Sequence, residues 1–358
     1  MRGLALLALV CASVSGVAAP PIYKRSLWIP PAGLPMGSTR GEGTLTSFVT
    51  RPSGGQVGEW SNGEFYSFSS IGAPIFTTRW ATPGLIYDDE DGPGSSGYVY
   101  NKKWNQIPMS LNGHTPTGLL TGQKTYNFPD PRDGIYGTAA IFDPATKTVI
   151  KEIEIGRYTW CWGGNSKGQF ILESDSFDNY YQFASAFMYD INTDKLTYLG
   201  GQFNDNWTPD IITDDGIVYG HAGLNVLSWS NGILRSEYSG NDVGVNMRVS
   251  NVLPNNLLFG LDGRKSNSNI EGFFFLQNGE YFDLNNQVIG GLLPAGYDKW
   301  TNYCYMTPEG VIMQALQNSA TGKFETHMLT PVPEPATFAA LGLGALLLRR
   351  RQRRNHSN

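Results

Sequence analysis

The chain has 358 residues, of which 41% are hydrophobic and 16% are charged, so charge-driven disorder is excluded and a sizeable core can form. Aromatic residues make up 13% and there are 43 glycines, a mixture that favours sheets and tight turns over helices. The formal net charge is −5, and six of the 26 basic residues are arginines in the two terminal segments. The remaining chain is therefore strongly acidic, which argues against nucleic acid as a partner.

The N-terminus has the organisation of a secretory signal peptide. Met1 and Arg2 are followed by the apolar run Leu4–Val10 and then by small residues up to Ala19. A basic start, an apolar stretch and a small-residue exit are the features that the secretion machinery recognises. We therefore expect residues 1–19 to be removed on export.

The body, residues 20–330, repeats one short pattern: an apolar strand, a tight polar turn and a second strand. Its clearest copies contain Asn-Gly, as in Asn62-Gly63, Asn231-Gly232 and Asn278-Gly279. Asn-Gly between apolar strands is a strong hairpin signal, because both central residues of a type I′ turn need a positive φ. A second feature, a glycine turn that opens an apolar strand, recurs upstream at Gly168, Gly216 and Gly310.

The hairpins recur at a regular spacing. The residues that end the first strand of each hairpin follow one another at intervals of 40 to 47 residues, and they are Trp60, Tyr100, Phe142, Tyr189, Trp229 and Leu276. Repeats of about 40 to 50 residues with several strands each are typical of β-propeller blades. The sequence thus predicts an all-β, β-propeller-like body with six or seven blades. Two β-sandwich domains are the alternative.

Some of these units resemble the HAF repeats of extracellular bacterial proteins. The resemblance is carried by Ala186-Phe187-Met188-Tyr189 with Leu196-Thr197-Tyr198-Leu199, and by Thr326-His327-Met328 close to the C-terminus. The resemblance implies an extracellular repeat protein and brings no catalytic residue with it.

Two cysteines, Cys161 and Cys304, remain after the signal peptide is removed. An even number in an exported protein permits a disulfide, which here would close a loop of about 140 residues. Two separate buried thiols are the alternative, because cysteine is also a common core residue. The sequence leaves both open.

No catalytic or metal-binding pattern stands out in the body. The acidic run Asp88–Asp91 lacks the ligand spacing of an EF-hand. None of His114, His221 and His327 has a second histidine or a cysteine at ligand spacing. Nucleophile-elbow, phosphate-loop and His-Glu-x-x-His motifs do not occur. The sequence predicts no metal, no cofactor and no named catalytic residue, and the ligand stays unknown.

Tryptophans are the best candidates for contact with a sugar. The ones that we single out are Trp160, Trp162, Trp207 and Trp300. In Trp160-Cys161-Trp162 the two rings must point to the face of a strand opposite to the cysteine. A core position is the alternative for each of them, since most aromatic residues have to pack between blades.

The C-terminus combines three features in residues 331–358. Pro333-Glu334-Pro335 is followed by thirteen uncharged residues, 336–348, and then by arginines at 349–351, 353 and 354. A helix over 336–348 would be about 20 Å long and the hydrocarbon core of a bilayer is about 30 Å thick, so we expect a transmembrane helix that anchors the chain transiently. The arginines should stay in the cytoplasm, which leaves the body outside.

This arrangement resembles the PEP-CTERM sorting signal of exported proteins. The resemblance implies that Pro333, Glu334, Pro335, Arg349, Arg350 and Arg351 are read by an exosortase-type membrane peptidase, and that the tail is removed. It also implies delivery to the surface or extracellular matrix of bacteria that make exopolysaccharide.

The sequence-based hypothesis is therefore an exported surface or matrix protein with a non-catalytic binding or structural role, associated with polysaccharide. Membrane contact is expected only through the tail. A carbohydrate-active hydrolase or lyase with an active site in a propeller funnel is the alternative, because propellers do host such sites.

Overall fold

The structure is a computed structural model, and it describes residues 20–28, 47–50, 58–61, 64–71, 78–88, 96–127, 135–175, 184–200, 207–240, 247–267, 270–307 and 309–332. Within these ranges the chain is almost entirely β-structure. The few helical elements are short: the α-helix α1 (Leu284–Gln287) and 3₁₀ turns at Phe68–Ile71 and Pro254–Asn256.

The strands form six four-stranded antiparallel sheets, which we call blades 1 to 6, and one three-stranded sheet. The three-stranded sheet consists of β2 (Ser47–Thr50), β3 (Gly58–Ser61) and β4 (Glu64–Ser67). Blade 1 consists of β5 (Thr78–Thr82), β6 (Leu85–Asp88), β7 (Gly97–Tyr100) and β8 (Lys103–Gln106). Blade 2 consists of β9 (Ser110–His114), β10 (Leu120–Asn127), β11 (Ile135–Asp143) and β12 (Thr148–Ile153).

Blades 3 to 6 continue the same order. Blade 3 consists of β13 (Thr159–Gly164), β14 (Gln169–Asp175), β15 (Ala184–Asp190) and β16 (Lys195–Tyr198). Blade 4 consists of β17 (Thr208–Ile212), β18 (Val218–Ala222), β19 (Asn225–Ser230) and β20 (Ile233–Tyr238). Blade 5 consists of β21 (Met247–Leu253), β22 (Leu257–Asn267), β23 (Ile270–Gln277) and β24 (Glu280–Asp283). Blade 6 consists of β25 (Tyr297–Met306), β26 (Ile312–Asn318), β27 (Phe324–Pro331) and the N-terminal strand β1 (Tyr23–Leu27).

The core is divided among the junctions between successive blades. Five apolar clusters are buried, and each takes residues from two neighbouring blades. At the junction of blades 5 and 6, for example, Tyr23 of β1 stacks on Phe275 of β23 with ring centroids 5.7 Å apart. A four-stranded sheet cannot cover both of its own apolar faces, so each blade depends on its neighbours. The six blades form a ring, a six-bladed β-propeller, which confirms the predicted fold and excludes the two sandwiches.

Two kinds of tight turn repeat along the chain. Asn231-Gly232 and Asn278-Gly279 join the third and fourth strands of blades 4 and 5 with positive φ values of 51° and 82° in both turns, as the Asn-Gly signal predicts. First and second strands are joined by turns in which a Thr or Asn side chain accepts a bond from the backbone N–H four residues on. Thr115, Asn165, Thr213 and Thr307 make this bond. The turns that begin at Asn165, Thr213 and Thr307 contain Gly168, Gly216 and Gly310 and are the predicted glycine turns, and the turn at Thr115 is a further one.

Blade 6 is closed by both ends of the body. Strand β1 lies antiparallel to β27, with Tyr23 opposite Pro331 and Leu27 opposite His327. The ladder ends with Trp28 N donating to Thr326 O at 2.9 Å and Val332 N donating to Ile22 O at 2.7 Å. We call this pair of strands, β1 and β27, the terminal latch. It closes the ring non-covalently.

Candidate functional site at the inner edge of blades 3 and 4

The first strand of each blade lies at the inner edge of its sheet, and in blades 1 to 5 it contains a β-bulge. The residue without a partner in the register is Ala81, Asn112, Trp162, Asp210 or Ser250. A bulge raises the local twist and changes the direction of a side chain. Trp162 and Asp210, in adjacent blades, are thereby aimed at the next blade.

Glu173 of β14 lies beside Trp162 at the junction of blades 3 and 4. Trp162 Nε1 donates to Glu173 Oε2 at 2.8 Å, and Thr208 Oγ1 lies 3.5 Å from Glu173 Oε1. Burial raises the pKa of the Glu173 carboxyl above its ordinary value, while the bond from Trp162 opposes that rise. The carboxyl is thus held in an environment that favours its protonated form more than water does.

His221 and Asp210 form the equivalent pair one blade further on. His221 Nδ1 lies 3.0 Å from Asp210 Oδ2, and Val249 N of blade 5 donates to the same oxygen at 3.0 Å. Only 5% of the His221 side chain and 11% of the Asp210 side chain are exposed. The pair joins blade 4 to blade 5.

The earlier blades make corresponding polar contacts. Gln123 Nε2 of blade 2 donates to Thr159 O of blade 3, and Tyr87 of blade 1 lies 3.5 Å from His114 Nδ1 of blade 2. Glu173 and His221 occupy the same place in the repeat as Gln123 and Tyr87, because each pairs with the second residue before the bulge. The cluster is therefore part of a series that ties neighbouring blades together.

The cluster also brings acid–base groups together. Across the junction, His221 lowers the pKa of the Glu173 carboxyl and Asp210 raises it, both less strongly than burial does. Such a set can carry general acid–base chemistry where a substrate reaches it. Both oxygens of Glu173 and at least one oxygen of Asp210 are already engaged by protein donors, however, which favours a structural role for both carboxylates.

An aromatic surface lies at the start of β13, before the bulge. Tyr158 and Trp160 stack with centroids 5.8 Å apart and planes 21° apart, and the Arg157 guanidinium lies 5.8 Å from the Tyr158 centroid. All three side chains are half-buried. We call Arg157, Tyr158 and Trp160 the inner aromatic surface. It combines flat apolar rings with a cation, so it can hold a flat or amphipathic ligand.

The Trp-Cys-Trp pattern folds as predicted. Trp160 and Trp162 are half-buried on one face, and Cys161 is fully buried on the other, against residues of blade 2 such as Ala139 and Ile141. Cys161 is a free thiol, and burial raises its pKa to about 12. A buried thiol at Cys161 is one of the two alternatives that the sequence leaves open. Strand β25, which contains Cys304, belongs to blade 6, and the side chain of Cys304 lies outside the described part of the structure, so the pairing of the two cysteines stays a prediction.

The three histidines lie in three different blades and do not form one site. His327 of blade 6 is buried, and its ring meets the ring of Tyr297 edge-on at 5.0 Å. Burial, with a contribution from Arg25, lowers the pKa of His327 to about 4.

Trp207 is buried between blades 3 and 4, so it is a core residue, and the side chain of Trp300 lies outside the described part of the structure.

Sequence reasoning missed Glu173 and Tyr158. Glu173 could have been found as the residue four positions after Gln169, because His221 stands four positions after Ile217 in the matching turn. Tyr158 lies directly before strand β13, and no local sequence pattern beyond its two neighbours marks it as a site residue.

In the ranges that the structure describes, no three His, Cys, Asp or Glu side chains are grouped so as to hold a metal ion. Among the same residues, none of the helices has the length and apolar character needed to cross a membrane. The signal peptide, most of the acidic run and the tail with its predicted helix at 336–348 lie outside the described residues.

A sequence profile of the PEP-CTERM protein-sorting motif matches residues 331–354. The chain carries this sorting motif. The motif indicates an exported protein that an exosortase processes at the membrane. No curated protein sequence matches the chain significantly, and the resemblance to HAF repeats stays a prediction.

Several solved structures share the fold at low identity. A prolyl endopeptidase matches with a TM-score of 0.51 at 8% identity, over 84% of this chain and 51% of its own. The Pyrococcus horikoshii acylaminoacyl peptidase matches with 0.50 at 9% identity, over 86% and 54%. An oligogalacturonate lyase in complex with manganese matches with 0.49 at 12% identity, over 87% and 93%. This chain spans about half the length of the two peptidases, and the likeness to them concerns the fold alone.

Proposed function

We propose that the exported body is a non-catalytic binding protein of the cell surface or extracellular matrix, and that it binds polysaccharide through the inner aromatic surface. The observation that carries the proposal is the half-exposed stack of Tyr158 on Trp160 beside Arg157. The signal peptide at 1–19 and the sorting motif support export through the secretion machinery, followed by exosortase processing.

The chemistry of this surface suits a sugar better than a nucleic acid or a metal. The C–H face of a pyranose packs on an aromatic ring, and the ring edges and a guanidinium supply polar partners. The acidic charge of the body disfavours a strongly anionic polymer. We therefore propose a neutral or weakly charged polysaccharide as the ligand.

A single substitution tests this proposal. Trp160→Ala is expected to lower the affinity for a neutral polysaccharide such as dextran at least tenfold in affinity gel electrophoresis, since a stacked ring contributes about 1 kcal/mol beyond its buried area. Trp104→Ala, which removes a half-buried ring from the outer strand of blade 1, is the matched control and should bind as the parent does. An equal loss of affinity in both variants, or no loss in Trp160→Ala, would show that the inner aromatic surface does not bind the polysaccharide.

A carbohydrate-active hydrolase or lyase is the second candidate, because burial raises the pKa of Glu173 close to Asp210 and His221. A raised carboxyl pKa beside a second carboxylate is what a glycosidase acid requires. Release of reducing ends from a polysaccharide by the parent chain and not by Glu173→Gln would favour this enzyme. Binding without turnover in both proteins would favour the non-catalytic role.

A further inference from the structure

The two ends of the body leave the propeller at one point on its rim. Tyr23 lies opposite Pro331 in the terminal latch, and Val332 N donates to Ile22 O at 2.7 Å. Residue 333, the next in the chain, begins the Pro-Glu-Pro segment of the sorting motif, and the uncharged run starts at Ala336. Folded structure therefore continues up to the sorting signal with no linker.

Exposed apolar side chains surround that point. Ile22 is 44% exposed, Val332 37% and Ile289 60%. They belong together, because Ile289 N donates to Tyr23 O at 2.9 Å and Ile22 is paired with Val332. We call Ile22, Ile289 and Val332 the terminal patch. Isolated exposed apolar residues are ordinary, but a group of them at one place marks a contact surface.

Chain length limits what can cover the patch. Four steps separate Val332 from Ala336, and a fully extended chain advances at most about 3.6 Å per residue, so the two residues lie within about 14 Å of each other. The headgroup layer of a leaflet is about 6 Å thick by the difference between the whole bilayer and its hydrocarbon core. With the run 336–348 in the bilayer, Val332 therefore stays within about 8 Å of the membrane surface.

We propose that the terminal patch docks the propeller rim on the lipid surface for as long as the sorting tail is attached. This inference rests on insertion of the tail in the bilayer, which the sequence predicts, and it extends membrane contact from the tail to the body. Three apolar side chains would bind a bilayer weakly by themselves. Tethering through the three residues between Val332 and Ala336 makes their contact intramolecular, which raises its effective concentration to the millimolar range or above.

Docking would also orient the molecule. Leu329, near the end of β27, pairs with Ile312, which directly follows the turn that begins at Thr307. Val332 therefore lies at the same end of blade 6 as that turn. In blade 3 the equivalent turn begins at Asn165, at the far end of β13 from Trp160. The inner aromatic surface therefore lies at the end of the blades opposite to the terminal patch, and it would face away from the bilayer.

Site-specific fluorescence tests the docking. A chain from Pro20 to Asn358 that carries Ile289→Cys is labelled with an NBD dye and mixed with vesicles of phosphatidylethanolamine and phosphatidylglycerol at about 3:1. The same label at Ile233→Cys is the matched control, since Ile233 is 51% exposed on the outer strand of blade 4. We expect the dye at 289 to shift to the blue and its quenching by iodide to fall about threefold, as for a group in the headgroup region, while the dye at 233 stays unchanged.

Two further controls make the outcomes distinct. The parent without an added cysteine gives the background from Cys161 and Cys304, and the same chain ending at Val332 should show strong quenching at both positions. If the full-length chain floats with the vesicles and both positions are quenched equally, docking is refuted while tail insertion stands. If the chain does not float, tail insertion fails and the docking proposal falls with it.

Discussion

Two opposing effects act on the pKa of the Glu173 carboxyl. Burial favours its neutral form, and the Trp162 indole N–H at 2.8 Å favours its charged form, with burial the stronger of the two. Because the pKa is raised in the folded protein, the folded state binds the proton more tightly than the unfolded state does. The carboxylate therefore weakens folding at neutral pH, and this penalty disappears as the pH falls below the unfolded pKa of about 4.3.

We accordingly expect Glu173→Gln to raise the thermal unfolding midpoint at pH 7, because the amide keeps an oxygen for the Trp162 N–H and carries no buried charge. The gain should shrink as the pH is lowered and vanish near pH 4. Thermal melts of both proteins from pH 4 to 8 measure this difference. A gain that does not depend on pH, or a loss at pH 7, would show that the charged carboxylate stabilises the junction.

Single residues were predictable only where the local pattern decides them. The alternation of Trp160, Cys161 and Trp162 follows from the two-residue period of a strand. The partners of Glu173 depend on a bulge and on the facing blade, and neither can be read from local sequence. The burial of Cys161 likewise depends on residues of blade 2, and the count of cysteines alone allows both a free thiol and a disulfide.

Strand β1 is the element that sequence reasoning did not place. Its residues, Tyr23–Leu27, have no partner nearby in the sequence, and they complete a blade some 300 residues away. The hairpins were predictable because their turns need a positive φ, which Asn-Gly supplies locally. The bonds at Ile22 and Trp28 set the phase of the ladder, so the N–H groups of Lys24 and Ser26 also point to β27.

Prolines at those two positions should open the terminal latch. Lys24→Pro with Ser26→Pro removes two backbone N–H donors from the ladder at positions whose side chains are exposed, and we expect a loss of about 3 kcal/mol or more in the free energy of unfolding. Urea denaturation of the chain from Pro20 to Val332 measures it. The matched control, Lys24→Ala with Ser26→Ala, should change stability by less than about 0.5 kcal/mol. Equal midpoints for the two double variants would mean that β1 does not hold the ring closed.

At the scale of the whole molecule, the spacing of the hairpins predicts the ring. Regular spacing implies equivalent units, and units that cannot cover their own faces have to surround an axis. The sequence left the number of blades open between six and seven; the structure has six, and the hairpin at Trp60 belongs to the separate three-stranded sheet. The terminal patch and the inner aromatic surface lie at opposite ends of the blades.

The antiparallel latch has a mechanical consequence. Ile22 and Val332 lie side by side at the same end of the ladder, so a load that pulls the two chain ends apart meets the hydrogen bonds one after another. Such an unzipping geometry yields at much lower force than a shearing geometry, in which all bonds carry the load together. A propeller that is pulled by its two ends would therefore open at the terminal latch first, while the other blades stayed folded.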